Sequence, residues 1–200
     1  MLRKIVSAPK AEPVTLEDVY AHTNSDSDDE TYLSTLIPAA RKRFETMTGR
    51  LLVEQTWQLA LPKFTTDICL PLTPLRSITS IKYINGLGQL VTIDPSEYRV
   101  VSHGLTAVIT PRLGGSWPAV GYKVSDAVQI ECVFGHAGIA ADQIDAASIS
   151  DEDNYKLAKQ SILILIADWF RNREDTAPVQ LYETPNAFKA ICSELSVQLL

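Results

Sequence analysis

Met47-Thr-Gly-Arg-Leu-Leu-Val-Glu-Gln-Thr-Trp-Gln-Leu59 holds the change of period that decides the fold class. Upstream of it, Tyr32, Leu33, Leu36, Ile37, Ala40, Phe44 and Met47 recur at helical spacing and draw one apolar stripe. Gly49 stands where a helix commonly ends in a left-handed residue. From Leu52 the period is two. Val53, Gln55, Trp57 and Leu59 alternate with Leu52, Glu54, Thr56 and Gln58, which predicts a strand.

Working back from this junction, Pro38 interrupts the helical pattern, removes one backbone hydrogen bond and should kink the helix. Ser27 or Asp28 is the expected N-cap, with acids in the first turn. The run Asn24–Glu30 resembles a calcium loop in composition only. Counted from Asp26, the positions that need Gly and Glu hold Thr31 and Ile37. Thr15 can cap a short helix with Glu17 and Asp18 in its first turn. Residues 1–13 read as extended. Arg41, Lys42 and Arg43 form a basic cluster, either a solvated face or a contact to an acidic partner.

Working forward, short strands are predicted at Ile68–Leu70, Ile78–Ile84, Gln89–Ile93, Tyr98–Val101, Leu105–Thr110 and Ala127–Phe134. Asn85-Gly86 is a hairpin signal. With no crossover helix in view, the sheet should be antiparallel. The small-residue stretch Ala137–Ser150 reads as a loop or short helix, and Ser150–Asp153 as a helix entry. The helix Tyr155–Arg173 is apolar nearly all round, so it should be buried, with Leu163 and Trp169 in the core. A last helix should start at Thr184-Pro185 and carry the stripe Phe188, Ile191, Cys192, Leu195 and Leu199. The reading is therefore α+β. Helices from residues 1–50 and 136–200 form a bundle, with the later helices packing on 14–50. Residues 51–135 form a central antiparallel β insertion.

Composition narrows the function. The 200 residues carry 18 Lys+Arg against 24 Asp+Glu, a net charge of −6, which argues against a clamp on nucleic-acid phosphates. Cys69, Cys132 and Cys192 show no ligand or disulfide spacing, and no metal or cofactor site is indicated. The six-residue apolar run Ile162–Ala167 falls short of the ~20 residues of a membrane span, and the N-terminus lacks the apolar run of a signal peptide. A reducing, aqueous compartment is expected. Ser102-His103 cannot pair directly within a strand. Gly86-Leu-Gly88 lacks a third glycine and a following helix. Leu113-Gly-Gly-Ser-Trp-Pro118 reads as a turn seating Trp117 in a groove. Catalytic residues are therefore expected to be none.

Several motifs, in order, resemble the head–tail connector (adaptor, or head-completion) proteins of long-tailed bacteriophages and prophages. They are Val14-Thr-Leu-Glu-Asp18, Thr48-Gly-Arg50 leading into Gln55-Thr-Trp57, Leu70-Pro71, Asp94-Pro-Ser-Glu-Tyr98, Gly114-Gly-Ser-Trp-Pro118, Val133-Phe-Gly135 and Ala167-Asp-Trp-Phe-Arg-Asn-Arg-Glu174. Pro38 and the stretch Ala137–Ser150 depart from the pattern. The resemblance implies a non-enzymatic homo-oligomeric ring, commonly dodecameric, in the virion neck, made in the host bacterial cytoplasm. Such a ring binds under the portal protein, continues the channel for double-stranded DNA, and gives the stopper or tail terminator its platform. It also implies that residues 184–200, through Phe188, Ile191, Leu195, Leu199 and Leu200, dock on the portal; the same stripe could instead close the subunit core. Two other readings stay open: a small carboxylate-dependent hydrolase and a DNA-packaging accessory factor.

Overall fold

The computed structural model describes residues 1–103, 106–121, 123–136, 152–172 and 185–196. The stretch 137–150, the link 176–184 and the terminal pair Leu199 and Leu200 lie outside the described residues. The fold is α+β and divides into two compact units. One comprises Met1–Pro9 and Glu54–Gly135; the other comprises Lys10–Val53 and His136–Ser196.

The first unit is built from antiparallel strands. β1 (Leu2–Ser7), β2 (Gln55–Leu61), β4 (Leu75–Ile84), β5 (Leu90–Thr92) and β8 (Val128–Phe134) form one sheet in the order β1-β2-β8-β4-β5. β3 (Ile68–Cys69), β6 (Tyr98–His103) and β7 (Thr106–Pro111) form a second sheet in the order β3-β7-β6. Strict alternation buries Trp57, Leu59 and Leu61 of β2 beside Cys132, Ile130 and Val128 of β8, directly opposite in register. Ile81 of β4 faces Ile130 from the other side. β8 is thus the apolar spine of the sheet. The β4–β5 hairpin closes as Asn85-Gly86 predicts: the Asn85 side-chain oxygen accepts from the backbone N–H of Leu87 at 2.9 Å and of Gln89 at 3.0 Å.

The second unit is helical: α1 (Leu16–Thr23), α2 (Glu30–Thr48), α3 (Glu152–Arg171) and α4 (Asn186–Leu195). Its core joins Val14 and Val19 with Leu33, Ile37, Ala40 and Phe44 of α2. Ala158, Ile162, Leu165 and Ile166 of α3 and Phe188, Cys192 and Leu195 of α4 complete it. α2 runs through Pro38 without a break and ends on Gly49, which is left-handed at φ 73°. Its start differs from expectation. Asp26 caps a 3-10 turn over Ser27–Asp29 by accepting from the Asp28 N–H at 3.0 Å, and α2 begins only at Glu30.

Two further expectations are corrected. Leu52 and Val53 are not strand residues; they pack into the helical core, and the ladder begins at Gln55. The cause is Glu45, a buried acid of α2 whose Oε1 accepts from the Leu52 N–H at 3.2 Å and holds this segment against the helices. Leu163 and Trp169 are only half-buried at the margin of the core, whereas Ile162, Leu165 and Ile166 fill it. A twenty-residue helix packed on one side buries a stripe, even when its sequence is apolar around most of its circumference.

α1 opens with a reciprocal cap. The Asp18 N–H donates to Thr15 Oγ1 and the Thr15 N–H to Asp18 Oδ2, both at 3.0 Å. Burial works against the Asp18 charge, but the Thr15 backbone N–H, the nearby Lys159 and the Thr15 hydroxyl outweigh it and hold the carboxyl below its ordinary range. A depressed carboxylate stabilises the fold above its unfolded pKa, and the contribution is lost as pH falls through the lower folded value. Thr15→Ala should cost about 1 kcal/mol at pH 7. Urea titrations at pH 7 and near pH 3 should show the Asp18→Asn penalty shrinking at the acid end.

Candidate functional site

Three features of this chain are candidates for contact with a partner: α4, the basic cluster of α2, and an aromatic groove in the β unit. α4 has the composition of a docking helix, yet its stripe is already used. Phe188 and Leu195 are fully buried and Ile191 packs at the margin, all within the helical unit. Arg50 fastens the helix end, its Nε donating to the Leu195 carbonyl at 2.6 Å, where a cation suits the negative pole of the dipole. Within the subunit the stripe is thus already packed, Phe188 and Leu195 fully and Ile191 in part.

The basic cluster splits. Arg41 is buried, with its Nε 2.6 Å from Glu12 Oε2 and its Nη1 2.9 Å from Glu45 Oε2. Burial disfavours its charge, but the Glu12 and Glu45 carboxylates more than compensate and raise its pKa above the ordinary value. It is a structural clasp and presents no charge to a partner. Lys42 and Arg43 are exposed. Glu45, four residues on, could have been read from the sequence as a helical ion-pair partner of Arg41. Glu12, 29 residues away, could not.

The groove is lined by Lys63, Phe64, Thr65 and Thr66 on one side and by Pro111 and Gly115–Val120 on the other, and encloses about 440 Å³. Its floor is a stacked pair, Phe64 on Trp117, with centroids 4.7 Å apart and planes 9° from parallel. Tyr83 meets Phe64 edge-on, and the indole N–H of Trp117 reaches the Thr66 carbonyl at 3.4 Å. The glycines are required. Gly114 sits at φ +76°, and a Cβ on Gly115 would meet Arg112 Cγ at 2.8 Å. The turn does seat Trp117, with Phe64 as the surface it lies on.

Among the described residues, no group of three or more His, Cys, Asp or Glu is placed to hold a metal ion, and no helix is long and apolar enough to cross a membrane. Cys132 and Cys192 are buried. Burial, aided by Glu131, pushes the Cys132 thiol up to about 12; burial pushes Cys192 up to about 11 against the opposing charge of Arg43. Cys69 is exposed. A thiol reagent at pH 8 should modify Cys69 alone in the native protein and all three cysteines after unfolding. Fast modification of a second thiol in the native state would contradict this packing.

No protein-family model and no curated protein matches the chain. Its fold does have counterparts. A chain from the virion of a native gene transfer agent (GTA) particle matches with a TM-score of 0.73 and 19% identity, covering 100% of this chain and 98% of that one. A chain from the neck of a native GTA particle computed with C12 symmetry matches at 0.71 and 19%, with the same coverage. One from the neck of an empty GTA particle computed with C6 symmetry matches at 0.70 and 20%, again with the same coverage. The shared fold spans both units and leaves almost nothing of either partner unmatched.

Proposed function

We propose that this chain is a structural subunit of a phage-type neck. Copies form a ring that binds under the portal, continues the DNA channel and offers a platform to a stopper or tail component. The observation that carries the reading is the end-to-end correspondence of fold with chains from GTA virions and necks, including one neck with twelve-fold symmetry. A net charge of −6 suits a lumen past which DNA slides without adhering. Synthesis in the host bacterial cytoplasm and incorporation at the capsid–tail junction follow from the same reading. Portal contact falls to the exposed Lys42 and Arg43 and to the terminal Leu199 and Leu200, since the rest of the α4 stripe is occupied.

No observation favours the hydrolase. Glu12 and Glu45, which the fold brings to one place, are both ion-paired to Arg41. The acidic balance also disfavours the packaging factor. Light scattering on the size-fractionated protein, alone and mixed with a portal ring, tests the proposal. A ring, or a defined complex formed only with portal, is expected. A chain that stays monomeric at every concentration and ignores the portal would overturn it.

A further inference from the structure

The five-stranded sheet ends in two different open edges. At one end stands β1, whose six residues pair, among the described residues, only with β2. Leu2 is 64% exposed, Val6 52% and Ile5 38%, and the strand contributes no buried side chain. At the other end β5 covers only Lys82–Ile84 of β4, with one more bond from the Ile93 N–H to the Ile81 carbonyl. Residues 75–80 of β4 therefore carry no strand on that side among the described residues, and Arg76, Ser77 and Thr79 are exposed there. An exposed edge strand is a template for pairing, and β1 sets Leu2, Ile5 and Val6 beside the charged Arg3 and Lys4.

We infer that copies of this chain join head to tail by strand addition, β1 of one subunit completing the open 75–80 edge of β4 in the next. Three properties favour a second copy as the occupant. The two edges match in length, six residues each. They match in polarity: β1, β2, β8 and β4 are successively antiparallel, so a like-oriented neighbour brings its β1 antiparallel to β4. They also differ from each other, so the contact is heterologous, the kind that closes a ring. Main-chain hydrogen bonds supply the ladder, and Leu2, Ile5 and Val6 lose exposure to water. The inference deepens the ring proposal and rests on it.

Hydrogen exchange followed by mass spectrometry on the oligomer and on diluted monomer reads the contact directly. Amides in 2–7 and 75–80 should exchange at least tenfold more slowly in the oligomer. Two variants add a test of directionality. Thr79→Pro acts at a bulge outside the β4–β8 register, where proline is tolerated, and blocks the acceptor edge. Deletion of residues 1–7 removes the donor and no buried side chain. Each variant alone should be monomeric, and an equimolar mixture should give only a one-to-one dimer, because one intact donor meets one intact acceptor. Circular dichroism establishes that each variant is folded; if either is not, the exchange data on the full chain decide. An oligomer whose 2–7 and 75–80 amides exchange as fast as in monomer overturns strand addition and leaves the ring standing. Protection of 2–7 only when portal is added also overturns it, by assigning β1 to another protein. A chain that never self-associates removes both proposals.

Discussion

Phe188→Ala is expected to cost about 3–5 kcal/mol of stability. Phe188 is fully buried, and the cavity left behind would be walled by side chains of helices that lie far apart in sequence and cannot all collapse into it. Urea denaturation of the full chain should show a lower midpoint at an unchanged slope. Ile191→Ala, one turn on and only half-buried, should cost distinctly less. The same contrast should separate Leu165→Ala, at about 2–5 kcal/mol, from Leu163→Ala at the rim. A loss below about 0.5 kcal/mol for Phe188→Ala, the level of an exposed site, would mean that α4 does not belong to the core.

Arg41→Ala should be comparably damaging, at about 3–5 kcal/mol, for an electrostatic reason. It strips the counter-charge from Glu45, which is 3% exposed and bonded to the Leu52 N–H. The weakened compensation of that buried carboxylate, together with the lost contacts of the arginine, sets the penalty. Glu12→Ala should cost about 1 kcal/mol or less, because that side chain is 30% exposed and water already screens it. In a double-mutant cycle, Arg41→Ala with Glu45→Ala should be much less destabilising than the sum of the two single changes. Additive losses would show that Arg41 and Glu45 act independently.

Much of this architecture is legible in periodicity. The stripe from Leu33 to Phe44, the alternation from Gln55 to Leu59, Gly49, the Thr15 cap and the Asn85-Gly86 hairpin each report a local constraint that their residue types satisfy in few ways. Segments that obey two rules at once were not legible. Leu52 and Val53 continue the alternation of the strand, but an acid seven residues earlier captures the Leu52 amide and moves them to the helices. Phe188, Ile191 and Leu195 make the same stripe whether they face a partner or their own bundle. Only the placement of α2 and α3 decides between these. Arg41 reads as one of three surface cations because Glu12 is brought to it by tertiary folding alone. The backbone matches GTA chains at about one residue in five identical, a likeness of fold that periodicity alone does not display.

Most of the β unit, Glu54–Gly135, lies in sequence between the two halves of the helical unit, Lys10–Val53 and His136–Ser196. During synthesis, α1 and α2 leave the ribosome well before α3 and α4 exist. Leu33, Ile37 and Phe44 must wait through the translation of some hundred residues, about 5–20 s at ordinary rates of synthesis. The strands of the sheet are all available by Phe134, so the β unit can be complete while the bundle is still half made. The nascent chain is therefore most vulnerable in mid-synthesis, when an exposed amphipathic pair precedes a finished sheet on the same polypeptide. Such a chain should depend on holding chaperones during that window far more than after release.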